Sequence, residues 1–331
     1  MAPLSRMSRE GASRKKEIRM QAAVVRPVVR HKMSPSERRE AIEGYISISP
    51  WFLGLLLWTL GPIIASLYLS LTDYEVVKAP VFVGLKNYRH MFFADRLFWQ
   101  SLKVTATYVF ISIPLSIALS FAVALLMNQK VKALGFFRTA YYMPNLVPAV
   151  GSAILWIWIF NPEFGLLNTF LASIGIKGPL WLAHSKWALP ALIIMSLWGA
   201  GGGMLIYLAG LQGIPTDLYE AAEVDGAGTL ARFWHVTIPQ MTPVLFFNLV
   251  MGIIGSFQVF TAGYIMTGGG PRYATYFYVL HLYNNAFHYF RMGYASALAW
   301  VLALIILFFT LLVFRSSAAW VYYEGQLRGR R

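Results

Sequence analysis

The 331-residue chain is 57% hydrophobic and only 13% charged, about half the charged fraction of soluble domains, so an ordinary soluble fold is excluded. It contains no cysteine, which rules out disulfides, thiolate metal sites and thiol nucleophiles. A net charge of +14 raises the question of nucleic acid, but the distribution of that charge points to lipid and membrane topology instead.

Residues 1–46 form a basic tail. Eleven Lys and Arg stand there against five Glu, with no apolar run and no early cleavage site of the kind a signal peptide carries. Ser34-Pro35-Ser36-Glu37 reads as the start of a short helix within the tail. The tail suits anionic headgroups or serves as a solvated segment that fixes topology.

Six long apolar stretches follow, near 47–72, 102–127, 141–160, 187–211, 240–263 and 294–314. Each is long enough to cross about 30 Å of hydrocarbon as a helix. The expected fold class is therefore all-α integral membrane, with a six-helix domain over 47–315 and a C-terminal tail over 316–331. The 11 Trp and 18 Tyr suit interfacial aromatic belts. With the N-terminus inside, 19 of the 28 Lys and Arg fall in inner segments. That bias places both termini in the cytoplasm.

Between the first two spans, Phe82 to Trp99 mixes aromatic and charged residues and reads as one interfacial amphipathic helix. In the fourth span, Trp198 precedes four glycines among the five residues 199–203. Glycine costs about 1 kcal/mol each in a helix interior, so this run loosens the helix at mid-depth, as at transporter substrate sites. Close helix approach is the competing reading, and Gly202 of this run is a candidate for the path. In the fifth span Asn248, Met251, Gly255, Gln258 and Ala262 recur at helical spacing. They suit either a hydrophilic path, with amides that can both donate and accept, or helix packing through small and amide residues.

Apart from Lys103 at the outer edge of the second stretch, none of the six holds an acid, a base or a histidine. Proton-coupled carriers need a titratable group at depth, and a hydrolytic enzyme needs acid, base or metal ligands at the reacting bond. No catalytic residue, metal ligand or bound cofactor is expected. A stand-alone secondary carrier remains the alternative from another class.

One stretch departs from this pattern. Residues 215–239 lie between apolar spans yet hold Asp217, Glu220, Glu223 and Asp225, a charge density that belongs in water. Asp217 and Glu220 have capping-box spacing for a helix over 218–224. Gly226 and Gly228 end it, Arg232 to Thr237 form a second short helix, and Pro239 opens the fifth span. Glu220-Ala221-Ala222, three residues, Gly226, nine residues and Val236-Thr237-Ile238-Pro239 resemble the EAA loop of permease subunits in binding-protein-dependent ABC importers. Gly84-Leu85-Lys86-Asn87-Tyr88, Asn161-Pro162, Gly165 to Asn168, Pro179 to Leu182, and Gly268-Gly269-Gly270-Pro271 with Thr275 resemble the carbohydrate-uptake branch. The resemblance covers roughly residues 47–325 and leaves the tail unmatched.

The resemblance implies a non-catalytic permease subunit of the type I fold in a prokaryotic plasma membrane. Its partners would be a second permease subunit, usually a paralogue, two cytoplasmic ATPase subunits that hold ATP and Mg, and an extracytoplasmic solute-binding protein. It implies ATPase coupling through Glu220, Ala221, Ala222, Asp225, Gly226, Ile238 and Pro239. It also implies contact with the binding protein at Gly269, Gly270 and Pro271. The solute is a sugar or oligosaccharide, with glycerol phosphate or another polyol as the alternative.

Overall fold

A computed structural model describes residues 34–129 and 132–322. Most of the basic tail and the last residues of the C-terminal tail lie outside the described residues. The chain divides into two compact units, up to Ile63 and from Ile64 onward.

Helix α1 (Pro35–Ser70) opens on a reciprocal cap. The Glu37 N–H donates to Ser34 Oγ at 3.2 Å and the Ser34 N–H donates to Glu37 Oε2 at 2.7 Å. Two unpaired N–H groups of the helix start are thereby satisfied, and Pro35 at the first position has none to satisfy. The helix does not stop within the tail as expected. It continues through residue 46 and, past a π turn at Leu55–Leu60, into the first apolar span.

The segment from 82 to 99 is not one amphipathic helix. A short antiparallel ladder, two residues on each strand, pairs β1 (Thr72–Asp73) with β2 (Val81–Phe82), Thr72 opposite Phe82. Gly84 turns the chain at φ +59° into α2 (Lys86–Phe93). Asn87 Nδ2 donates to the Ser70 and Thr72 carbonyls at 2.9 and 2.8 Å, and the Tyr88 hydroxyl donates to Ser70 Oγ. Asp95 then caps α3 (Arg96–Met127), accepting from the N–H groups of Leu97 and Phe98. An acid at this position satisfies orphan donors and complements the helix dipole, so the second span starts six residues earlier than its apolar run suggests.

The third and fourth spans are both broken. Helices α4 (Leu134–Leu146) and α5 (Ala149–Ile159) meet at 100°, and α7 (Ser185–Leu197) and α8 (Ala200–Gln212) at 43°. Pro148 marks the first break and the glycine run marks the second. The short α6 (Leu166–Ser173) lies between these pairs.

After α9 (Thr216–Val224), α10 runs unbroken from Thr229 to Ser256. Pro239 therefore does not open a separate helix. A π turn at Phe233–Thr237 precedes it, with the Ile238 N–H bonded to the Phe233 carbonyl. A widened turn gives the proline ring room where a regular turn would drive it into the carbonyl four residues back.

Residues 278–288, expected to be loop, form α11 (Tyr278–Tyr283) and a π turn that pack beside α12 (Met292–Trp320). Phe277, Tyr278 and Leu280 are buried. Among the described residues, four unbroken helices and two bent pairs are long and apolar enough to cross a membrane, six spans with each bent pair taken as one. The buried apolar side chains gather in three clusters that all draw on α3.

Candidate functional site: a polar cavity and a protruding helix

The cavity lies between α3, α7, α8 and α10 and has a volume of about 290 Å³. Its α3 wall is a stripe at four-residue spacing, Tyr108, Ser112, Ser116 and Ser120, which one helix face presents together. Ser196, Gly199, Gly203 and Tyr207 close one side, and Asn248 and Met251 of α10 the other. The lining is neutral throughout. The Ser112 and Tyr207 hydroxyls are buried and find no protein partner, whereas Ser120 Oγ donates to the Ala200 carbonyl at 2.8 Å. An unpaired hydroxyl in an apolar setting costs free energy unless a ligand or water bonds to it. The arrangement offers hydroxyl and amide partners to a neutral, hydroxyl-rich solute.

Of the residues expected along a path, Asn248 and Met251 line this cavity. Gln258 does not: α10 ends at Ser256, where Phe257 is fully buried beside the stacked ring of Phe309. The helical face therefore stops short of Gln258 and Ala262. Gln258 instead borders a separate apolar groove with Ile254, Leu282 and Ala303. Gly255 is exposed and lines neither. Trp198 and Gly202 also lie off the cavity. Trp198 borders a second recess, with its ring 6.0 Å from that of Trp156, and Gly202 sits against Asn145.

The second feature is α9 and its connection to α10. Asp217 does not cap α9. The N-cap position is Pro215, and Asp217 lies in the first turn, where its charge complements the helix dipole without a capping bond. The C-terminus closes as expected. Gly226 takes φ +79°, its N–H bonds to Glu223 O at 3.0 Å, and the Ala227 N–H bonds to Ala222 O at 2.8 Å. That pair is the Schellman arrangement. The Tyr219 hydroxyl meets Thr237 Oγ1 at 3.0 Å, and Arg232 bonds to Glu223 at 3.0 Å, so α9 is tied to the start of α10. Tyr219 and Ile238 pack on the apolar cluster beneath. Glu220, Ala221 and Asp225 are exposed, as are the apolar Val224 and Leu230.

At the opposite end of α3, Asp95 Oδ2 accepts from the Tyr294 hydroxyl at 2.6 Å and meets His281 Nε2 at 2.9 Å. Burial alone would raise the Asp95 carboxyl. The hydrogen bonds from His281 and Tyr294, the electrostatic interaction with His281 and the Phe98 N–H outweigh it and hold the group well below the usual carboxylate range. Nearby, Thr275 Oγ1 donates to the Gly270 carbonyl and contacts Thr267 Oγ1. Gly269 is buried, with φ +88° and Tyr276 against the place a Cβ would take. It shapes the loop and is no surface contact. Gly270 and Pro271 are half-buried, and Gly268, Arg272 and Tyr273 are exposed.

A family model described as the inner membrane component of binding-protein-dependent transport systems matches residues 115–320. The chain belongs to this family. The permease is 44% identical over 299 residues to the probable ABC transporter permease protein YesP of Bacillus subtilis, covering 89% of this chain and 96% of that one. It is 36% identical to the trehalose/maltose transport system permease MalF of Thermococcus litoralis, over 82% and 92% of the two chains. It is 32% identical to the lactose transport system permease LacF of Rhizobium radiobacter, over 86% and 97%. In the crystal structure of a bacterial alginate ABC transporter with its periplasmic protein, one chain shares the fold at a TM-score of 0.74 and 22% identity, over 85% and 96%.

The permease is thus a multi-pass membrane protein. The family match takes in the α9 segment, the glycine run and most of the cavity wall. Sequence reasoning overlooked the serine stripe of α3, although its four-residue spacing was readable. It also overlooked Asn145, whose contacts depend on two chain breaks meeting in space.

Proposed function

We propose that this chain is the permease subunit of an ATP-driven importer for a neutral sugar or oligosaccharide. It holds no catalytic residue and binds no cofactor. ATP and Mg belong to two cytoplasmic ATPase subunits, and a second permease, a paralogue, completes the passage. An extracytoplasmic binding protein delivers solute to the face that carries residues 268–275. Both termini and α9 lie on the cytoplasmic side, in keeping with the Lys and Arg bias.

The observation that carries this reading is α9 itself. It is a short, acidic, C-capped helix tied to α10 that presents Glu220, Ala221 and Val224 to a partner, and Leu230 at the start of α10 is exposed as well. Apolar side chains exposed on a segment too charged for lipid mark a protein contact. Force on α9 passes through Tyr219–Thr237 and Glu223–Arg232 into α10, whose Asn248 and Met251 line the cavity. The neutral lining suits sugar hydroxyls, whereas a phosphate would call for Arg or Lys. The names of the maltose and lactose permeases among its relatives support the same solute class.

The test is ATP hydrolysis by the reconstituted complex. Glu220→Lys should abolish solute-stimulated hydrolysis while the binding protein still binds solute. Stimulation that survives this change, or solute flux in liposomes that hold this chain alone, would overturn the reading, the latter in favour of a secondary carrier.

A further inference from the structure

The two broken spans meet at Asn145. This residue lies at the end of α4, just before the 100° bend. In the amide orientation that satisfies both partners, its side chain donates to the Gly199 carbonyl at 2.9 Å and accepts from the Gly202 N–H at 2.9 Å. These are backbone groups at the break between α7 and α8, where the Gly202 N–H also bonds to the Gly199 carbonyl at 3.2 Å, so the Asn145 amide brackets a pair that the backbone holds only loosely. The approach is close. A Cβ on Gly202 would lie 2.8 Å from the Asn145 amide, and one on Gly201 would run into the Tyr141 carbonyl.

The glycine turn that Asn145 holds is a wall between two spaces. Ser196, Gly199, Gly203 and Tyr207 face the polar cavity. Leu197, Trp198, Ala200 and Gly201 face a recess of about 270 Å³, bounded on its far side by Leu119, Tyr141 and Pro144. Movement of the turn toward the recess widens the cavity and narrows the recess. Five residues with four glycines resist such movement little, so the side-chain bonds that hold them set the position: Ser120 Oγ from α3 to the Ala200 carbonyl and the two bonds of the Asn145 amide from α4.

We propose that Asn145 is the latch of this wall, a positioning residue whose two amide bonds hold the Gly199–Gly203 turn on the cavity side and whose release lets the turn retreat and admit solute. The proposal rests on the cavity being the solute path.

The chain has no cysteine of its own, so single cysteines report cleanly. Ser116→Cys probes the polar cavity and Leu119→Cys the recess, each in the full chain purified as the complex it forms in its membrane. The readout is the rate of modification by a small hydrophilic methanethiosulfonate reagent. In an Asn145→Ala background, labelling of Ser116→Cys should rise about threefold or more, and that of Leu119→Cys should fall by a similar factor. General loosening would raise both. Rates that rise together, or that stay within about twofold of the parent, overturn the latch. Should Asn145→Ala not fold, Gly202→Ala presses on the same amide and must give the same opposed shifts. Solute protection is read separately. If a sugar protects Ser116→Cys in neither background while the opposed shifts appear, the path reading fails and the latch stands. If protection appears without the shifts, the latch fails and the path stands.

Discussion

Asp95 and His281 meet at 2.9 Å across 186 residues of sequence, joining the start of α3 to α11. Tyr294 of α12 completes the contact at 2.6 Å. Three elements that close one end of the bundle therefore share one carboxylate, and both carboxylate oxygens are engaged.

That carboxylate makes stability depend on pH. Its folded value lies well below the ordinary 3.8. A depressed carboxyl contributes stability that is complete above the unfolded value and is lost as pH falls below it. Between about pH 5 and pH 3 the wild-type protein should lose thermal stability more steeply than Asp95→Asn, which has no proton to take up. At neutral pH, Asp95→Asn should be less stable by roughly 3 kcal/mol, the cost of removing one partner from a buried pair. Thermal unfolding in detergent followed by tryptophan fluorescence gives both numbers. Parallel pH profiles for the two proteins would refute the assignment.

Gly226→Ala isolates the backbone contribution at the end of α9. No atom lies within 4 Å of the added Cβ, so the cost comes only from φ +79°, about 1–2 kcal/mol for an L residue in that region. The change should leave folding of the whole chain intact and reduce solute-stimulated ATP hydrolysis by distorting α9. Gly226→Asn, whose side chain tolerates this conformation better, should recover part of the loss. Equal activity in both variants would show that the turn tolerates strain without consequence for coupling.

What the sequence made legible was mostly local. Gly226 ends α9 because a left-handed residue is needed at that point, and the glycine itself signals it. The glycine run announces the α7–α8 break for the same reason. The misplaced features depend on contacts between distant segments. The helical spacing through Gln258 continues on paper, but the helix stops at Ser256. Asp217 has the spacing of a cap, yet the N-cap position is Pro215, two residues earlier. His281 lies outside all six apolar stretches, and its partner Asp95 stands 186 residues away in sequence.

Two glycines that look alike in sequence should behave oppositely. Gly201→Ala sets a Cβ against the Tyr141 carbonyl, and backbone cannot yield as a side chain can. A loss of about 3 kcal/mol or more, read as a collapse in the yield of monodisperse protein, is expected. Gly255→Ala meets nothing within 4 Å and lies one residue inside the end of α10. It should be neutral or stabilising by up to about 1 kcal/mol through helix propensity. Similar yields for the two variants would mean that α4 does not approach α8 so closely.

The buried hydroxyls of the cavity should set stability against function. Tyr207 is almost wholly enclosed, and its hydroxyl finds no protein partner. Deleting an unpaired buried polar atom removes its desolvation cost, about 1 kcal/mol or more. Tyr207→Phe should therefore raise the unfolding temperature of the solute-free protein, and Ser112→Ala should act in the same direction. If those hydroxyls meet solute, the same changes should raise the solute concentration needed for half-maximal uptake by about tenfold each, the equivalent of one hydrogen bond of 1.4 kcal/mol. Stabilisation without weaker uptake would leave the hydroxyls as packing defects and move the solute path elsewhere. Weaker uptake without stabilisation would mean that the hydroxyls are already paired in the resting protein.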